Sequence, residues 1–157
     1  RDLRFARDKS PYKLWTGATS TPDATGGIGY YLSVSTTGIT TGYGAMRMTA
    51  DQLRRFRDAI DADITGPRFE EITQQLSAQG LPVTPGADQP LKNAPRGWPI
   101  DHPRIHFLRW KGAAVVQEWT TGTWMHTPQA RERIRDVWAA AEPLKAWLDE
   151  HVSQHNH

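Results

Sequence analysis

Residues 28–48, "IGYYLSVSTTGITTGYGAMRM", decide the fold. In the first half, Tyr30, Leu32 and Val34 recur with the period of two that places alternate side chains of a strand on one face. The second half resembles the antiparallel return of that strand. Its three glycines supply the turn and allow a bulge or a close backbone approach. The stretch therefore predicts a β-hairpin.

Two helices are predicted directly after this hairpin. Thr49 and Gln52 have the spacing of a capping box, which satisfies two backbone N–H groups at the start of a helix. The apolar stripe of this helix is predicted to be Leu53, Phe56, Ile60 and Ile64. A second helix is predicted to begin near Pro67 and to end at Gly80. Its buried side chains are expected to be Phe69, Ile72 and Leu76.

The second half of the chain mixes loop, helix and strand. Residues 81–100 hold five prolines and two glycines, which predicts an extended loop. Asp101 is then expected to cap a short helix over 102–110, with Ile105 and Leu108 directed inward, before a strand at 112–119. The last helix is predicted to open at Thr127 and Pro128 and to kink or restart at Pro143.

This order of elements is not the βαβ alternation of a parallel sheet. It predicts an α+β fold in which a mainly antiparallel sheet packs against three to four helices. The length of 157 residues suits a single domain over residues 1–157. Residues 153–157, "SQHNH", are expected to form a frayed tail.

The composition limits the classes of function. The net charge is +2, and a chain that binds nucleic acid along a whole face usually carries a larger, clustered excess. There is no cysteine, which excludes disulfides and thiol nucleophiles. No run of 18 apolar residues exists, so we expect no membrane span. A cytoplasmic location fits these features.

A cluster of charge stands at the beginning, in "RDLRFARDKSPYK" at residues 1–13. Leu3 and Phe5 alternate with charged residues, so in an extended segment they would anchor the strand in the core. The polar residues that could form a binding site here are Arg1, Asp2, Arg4, Lys9 and Tyr12. Arginine suits bidentate capture of phosphate or carboxylate. The alternative is a solvated strand whose surface ion pairs contribute little.

A second cationic cluster lies in "LKNAPRGWPIDHPRIHFLRWKG" at residues 91–112. Lys92, Arg96 and His102 are interleaved here with Trp98. A cationic loop with an aromatic ring can clamp an anionic ligand or stack on a base. The alternative is a proline-rich loop in which Trp98 covers the core.

Neither a metal nor a cofactor is expected. His102 and His106 are four residues apart, which places them on one face only if the segment is helical. The spacing lacks the glutamate of the zinc helix motif, and Arg104 would oppose a bound cation. The glycine-rich segments lack the sequence of a phosphate-binding loop.

These segments also resemble a known family. "RDLRFARDKSPYK" resembles the signature of the family of domains of unknown function numbered 2461 (DUF2461), which is found in bacteria and some fungi. The matching residues are Arg1, Asp2, Arg4, Phe5, Asp8, Lys9 and Tyr12. "GYYLSVS", "GYGAMRM" and "LKNAPRGWPIDHP" resemble further segments of the family. The resemblance implies a functional site at the signature without implying an activity. It also implies that a further family segment precedes residue 1.

The sequence therefore predicts a basic pocket for an anionic small molecule that carries phosphate or carboxylate. Arg1, Arg4, Lys9 and Tyr12 would bind the ligand, Gly42 and Gly44 would let backbone approach it, and a second set would close over it. This second set is Lys92, Arg96, Trp98 and His102. If the protein is an enzyme, Asp2 or His102 is the acid–base residue. The alternatives are a module that binds a nucleotide or nucleic acid without catalysis, and a structural or protein-interaction domain.

Overall fold

The computed structural model describes residues 15–19 and 27–153. Within these ranges the predicted α+β architecture is confirmed, with one four-stranded antiparallel sheet in the order β1-β2-β3-β4. Its strands are β1 Trp15–Thr19, β2 Gly29–Ser35, β3 Gly38–Ala45 and β4 Ala113–Thr120. Residues 154–157 of the expected tail lie outside the described residues.

The predicted hairpin is β2 and β3, which pair from Ser35 opposite Gly38 back to Gly29 opposite Gly44. The predicted alternation of side chains between the two faces of the strand is also observed. Tyr30 lies opposite Tyr43, which is buried on the face of the sheet that the helices cover. In β4 that face continues at Val115, the partner of Tyr43 on its other side.

Five α-helices and one 3₁₀ helix occur in the described part of the chain. The α-helices are α1 Ala50–Asp61, α2 Thr65–Ala78, α3 Ile105–Leu108, α4 Pro128–Ala140 and α5 Glu142–His151. The 3₁₀ helix, Thr123–His126, was not predicted. None of these helices is both long and apolar enough to cross a membrane.

The boundaries of α1 and α2 follow from local chemistry. The capping box is confirmed, since the side chain of Thr49 accepts from the backbone of Gln52 and the side chain of Gln52 accepts from the backbone of Thr49. The three side chains predicted inside α2 are fully buried, and they are Phe69, Ile72 and Leu76. Phe69 packs edge to face against Phe56 of α1, which joins the two helices in one core.

Two predictions about helix ends were wrong. α1 ends at Asp61 and the chain turns extended at Ala62, so Ile64 leaves the apolar stripe and is 84% exposed. The short helix begins at Ile105, and Asp101 forms no capping hydrogen bond to it. Instead, the ring of His102 accepts the backbone N–H of Arg104 at 3.0 Å. In the longer helix that the sequence predicted, the side chain of Asp101 would have accepted this N–H.

The hypothesis that Gly42 and Gly44 face a ligand was also wrong. A Cβ atom on Gly42 would lie 2.0 Å from the carbonyl oxygen of Val115, and one on Gly44 would lie 2.3 Å from that of Ala113. The space beside both glycines is therefore taken by β4. Glycine is needed here because the backbone of a neighbouring strand approaches closely.

Candidate functional site

The two predicted halves of the site differ in what the structure describes. The N-terminal half lies outside the described residues, and it consists of Arg1, Asp2, Arg4, Lys9 and Tyr12. The loop half lies within them, between α2 and α3.

The loop is fastened to the residue after α3 by two hydrogen bonds. The backbone N–H of Leu91 donates to the carbonyl of Arg109 at 2.8 Å, and Nη2 of Arg109 donates to the carbonyl of Lys92 at 2.6 Å. Because its backbone is held, Lys92 has a fixed place while its ammonium group is exposed. In the described part of the chain, the ammonium has no hydrogen-bonding partner.

Arg96 lies at the tip of a turn closed by a hydrogen bond from the Trp98 amide to the Pro95 carbonyl. The turn passes through Gly97, whose φ of 98° favours glycine. Within the described ranges, the exposed guanidinium of Arg96 forms no hydrogen bond or ion pair. Trp98 is half-buried and packs against the core. The indole therefore fixes the loop, and Arg96 is presented to solvent.

His102 uses both of its ring nitrogens within the protein. Nδ1 accepts the backbone N–H of Arg104, so in the neutral ring the proton is on Nε2. Nε2 lies 2.7 Å from Oδ1 of Asp61, and the His102 side chain is only 8% exposed. This arrangement ties the loop to the end of α1 and leaves neither nitrogen directed at a ligand.

Arg104 completes this attachment, and the sequence did not indicate its role. Its Nε donates to the carbonyl of Ile60, and its Nη2 donates to the carbonyl of Asp61 at 2.9 Å. The residue is buried, and Gly66 makes room for it, because a Cβ there would lie 2.4 Å from Nε of Arg104. No local pattern predicts such a contact, since it joins residues 44 positions apart.

Arg109 has a donor that the protein leaves unused. While Nη2 binds the loop, Nε is buried and has no hydrogen-bonding partner among the described residues. By contrast, the Nε donor of Arg57 is used, because it donates to the carbonyl of Leu108 at 3.0 Å. Burial lowers the pKa of Arg57. A guanidinium is always charged, so Arg109 contributes a fixed positive charge with an open donor.

Hydrogen bonds tie the two ends of the predicted loop set to different neighbours. Lys92 contacts Arg109 after α3, whereas His102 contacts Asp61 and Arg104 before it. In the part of the chain that is described, no hydrogen bond joins His102 to the loop cations. His106 is exposed and lies inside α3, so the two histidines do not share a helical face.

A second polar cluster, which the sequence did not single out, joins α5 to the sheet. The hydroxyl of Tyr43 lies 3.4 Å from Oδ1 of Asp149, and Nζ of Lys145 binds Oδ2 of the same carboxylate. Burial, and then Asp149, raise the pKa of Tyr43, so its phenol stays protonated and donates. The hydrogen bond with Asp149 raises the pKa of Lys145. The ring of Tyr30 packs against that of Tyr43.

Comparison with known proteins identifies the family. A family model described as "Conserved hypothetical protein (DUF2461)" matches residues 1–147 of the 157. The chain belongs to the DUF2461 family. Searches of the curated proteins and of the solved structures found no match.

The DUF2461 match covers both predicted halves of the site. It includes the charged N-terminal signature, the hairpin and the loop with Arg104 and Arg109. It ends before Asp149, so the partner of Tyr43 and Lys145 lies beyond the matched range. The match therefore spans the whole loop and, in the α5 cluster, Tyr43 and Lys145.

Proposed function

We propose that this protein binds an anionic small molecule, bearing phosphate or carboxylate, in a basic site. The N-terminal signature and the loop together form the site, which contains Arg1, Arg4, Lys9, Tyr12, Lys92, Arg96 and Trp98. Arg109 adds to this set. We place the protein in the cytoplasm, in keeping with its lack of cysteine.

The observation that carries the proposal is the unused donor of Arg109. A buried N–H without an acceptor destabilises a protein by roughly 1–3 kcal/mol, and more when the group is charged. An anion beside the guanidinium would balance its charge, and it would accept from the buried Nε only where the loop shifts to admit it. Lys92, whose carbonyl holds Arg109, would bring its own free ammonium to the same ligand. The exposed Arg96 adds a mobile cation at the edge of the loop.

Within this proposal, catalysis would fall to Asp2 as the acid–base group. His102 has both nitrogens engaged and so acts as a positioning residue that holds the loop against α1. The ligand site would be the same whether this protein is an enzyme or a binding protein. Only in the enzyme would Asp2 transfer a proton. Trp98 packs on the core, which supports an anion clamp over a stacking platform for bases.

The proposal is tested by isothermal titration calorimetry of the full chain with inorganic phosphate, pyrophosphate and citrate. We expect saturable binding of at least one probe, weakened at least tenfold by Arg109→Gln. Arg54→Gln is the matched control, because Arg54 is 70% exposed and pairs with Asp51 on the surface of α1. Thermal unfolding of both variants checks that they fold.

Two outcomes would contradict the proposal. One is that none of the anions binds saturably, and the other is that the Arg109 and Arg54 variants bind equally well. Binding of an oligonucleotide that weakens steeply with salt would instead support the nucleic-acid alternative. Mass spectrometry of small molecules that co-purify with the protein would identify the substrate class. For the enzyme form, Asp2→Asn must abolish turnover of that molecule while binding survives.

A further inference from the structure

The helices leave one end of the core face of β4 uncovered. Along this face Val115 is fully buried, whereas the next two inward positions, Gln117 and Trp119, are only half-buried. A cleft of about 280 Å³ lies there, between the end of α2 and the side of α4. A glutamine at a core-facing position breaks the apolar pattern of the strand, which in natural proteins often marks a functional site.

The cleft has an apolar base and an aromatic wall. Leu81 and Val137 are buried and form the base, and the indole of Trp119 lines one side. The 3₁₀ helix fixes this wall, because Trp124 packs edge to face against Trp119 at 5.9 Å between ring centroids. A flat or branched apolar group would be covered on two sides here.

Two opposite charges reach the cleft from α4. Arg133 is held by stacking, with its guanidinium carbon 4.3 Å above the ring of Trp124. Stacking uses the face of the guanidinium and leaves its N–H groups pointing outward along the edge. Asp136 lies one turn further along the same helix. Within the described residues these two side chains form no ion pair, with each other or with any other group.

We propose that this cleft binds a small zwitterion of the amino-acid type with an apolar side chain. Its carboxylate would pair with Arg133, which can donate two parallel hydrogen bonds. Its ammonium group would pair with Asp136, and its side chain would pack against Trp119. The volume lies just below the range of about 300–1,000 Å³ for sites that hold drug-sized ligands, so a ligand of about a dozen heavy atoms fits.

The neighbouring charges support a zwitterion over a simple anion. An anion would meet the guanidinium of Arg133 but would also be repelled by the carboxylate of Asp136, one helical turn away. A cation would be attracted by the carboxylate of Asp136 but repelled by the guanidinium of Arg133. A molecule with both charges a few ångströms apart satisfies the two groups together. Nε2 of Gln117 donates to the Glu118 carbonyl, and its amide oxygen offers the ligand an acceptor.

The cleft shares no residue with the proposed anion site, so the two proposals stand or fall separately. The test is a titration of the full chain with L-phenylalanine and L-leucine, followed by calorimetry and by NMR of the tryptophan indole N–H signals. We expect saturable binding that shifts the signals of Trp119 and Trp124. Phenylalaninamide, which lacks the carboxylate, and N-acetyl-L-phenylalanine, which lacks the ammonium group, should each bind at least tenfold more weakly.

The variants assign the two charges. Arg133→Gln should weaken L-phenylalanine binding at least tenfold but leave the affinity for phenylalaninamide nearly unchanged. Asp136→Asn should also weaken L-phenylalanine binding at least tenfold, but it should leave the affinity for N-acetyl-L-phenylalanine nearly unchanged. Arg131→Gln and Glu132→Gln are the matched controls, since both residues are exposed on α4 and neither lines the cleft. The proposal is overturned if neither amino acid binds saturably, or if the two modified ligands bind as well as L-phenylalanine. The ligand comparison on the unaltered protein decides the matter even if a variant fails to fold.

Discussion

Arg104 donates a 2.6 Å hydrogen bond from Nε to the backbone carbonyl of Ile60, 44 residues earlier in the chain. The last carbonyl groups of a helix have no partner within it, and the helix dipole makes that end negative. α1 has no basic residue in its own last turn. Arg104 therefore supplies from a distant loop the cation and the donors that the end of α1 lacks.

Replacing Arg104 by methionine should destabilise the protein strongly. The change keeps an unbranched apolar stem but removes the hydrogen bonds to Ile60 and Asp61, so we expect the free energy of unfolding to fall by about 2–4 kcal/mol. The free energy of unfolding is measured by urea denaturation, with circular dichroism as the signal. Arg54→Met, at an exposed surface pair, should change it by less than about 1 kcal/mol. Equal effects of the two substitutions would refute a special role for Arg104.

The contact between His102 and Asp61 should show energetic coupling. The nitrogen and oxygen atoms are 2.7 Å apart and the histidine ring is nearly buried, so a double-mutant cycle of His102→Ala and Asp61→Ala should give a coupling of about 1 kcal/mol. The corresponding cycle for His151 and Glu150, whose atoms are 3.8 Å apart with the glutamate exposed, should give almost none. Additive effects of the first pair would show that the contact contributes nothing to stability.

The raised pKa of Tyr43 predicts a loss of stability in alkali. In the unfolded chain its phenol should titrate near the ordinary value of 10.0, while burial and Asp149 hold the folded pKa above that value. Above pH 10 the unfolded state therefore loses a proton that the folded state keeps. The stabilisation is complete below this pH and declines as pH rises toward the folded pKa, by at most about 1.4 kcal/mol per pH unit.

The measurement is urea unfolding of Tyr43→Phe and of the unaltered protein between pH 9 and pH 11.5. The substitution removes the titrating group, so the decline above pH 10 should become shallower. Tyr31→Phe is the matched control, because Tyr31 is a more exposed tyrosine on the same hairpin. Lys145, whose pKa is also raised, should leave a residual decline in all three proteins. An unchanged slope in Tyr43→Phe would contradict the prediction.

Alanine at position 42 should disrupt the pairing of β3 with β4. Its Cβ would lie 2.0 Å from the carbonyl oxygen of Val115, which no side-chain movement can relieve because the contact is with backbone. We expect a loss of at least about 2 kcal/mol of unfolding free energy, with faster hydrogen exchange in β4. Thr40→Ala, two residues earlier in β3, should be much milder. Similar stabilities of the two variants would show that β4 moves aside at little energetic expense.

Much of the fold could be predicted because it depends on local chemistry. The hairpin follows from alternation in Tyr30 to Val34, and α1 begins where Thr49 and Gln52 cap each other. Where local rules compete, the prediction failed. Ile64 continues the helical spacing of α1 in the sequence, but the helix ends before it, and Asp101 has the chemistry of a cap but is not used as one.

The candidate site was less predictable, because residue type alone does not tell what a side chain contacts. His102 has the chemistry of an acid–base catalyst, yet its two nitrogens are taken by Asp61 and by the Arg104 amide. Arg104 looked like one cation among several and is a buried helix cap. Gly42 suggested a place for a ligand and instead admits a strand.

The sequence by itself determined the family, the α+β class, the N-terminal cap of α1 and the buried face of α2, since these local features depend on residues within a few positions of each other. Only the tertiary structure decided the partners of the polar residues. Hydrogen bonds and charges act between neighbours in space, and here the partners of Arg104 and Tyr43 lie 44 and 106 residues away in the chain. Within the described residues, the cationic loop therefore divides into a part that holds the fold together, with His102 and Arg104, and a part, with Lys92 and Arg96, whose cationic groups form no hydrogen bond or ion pair.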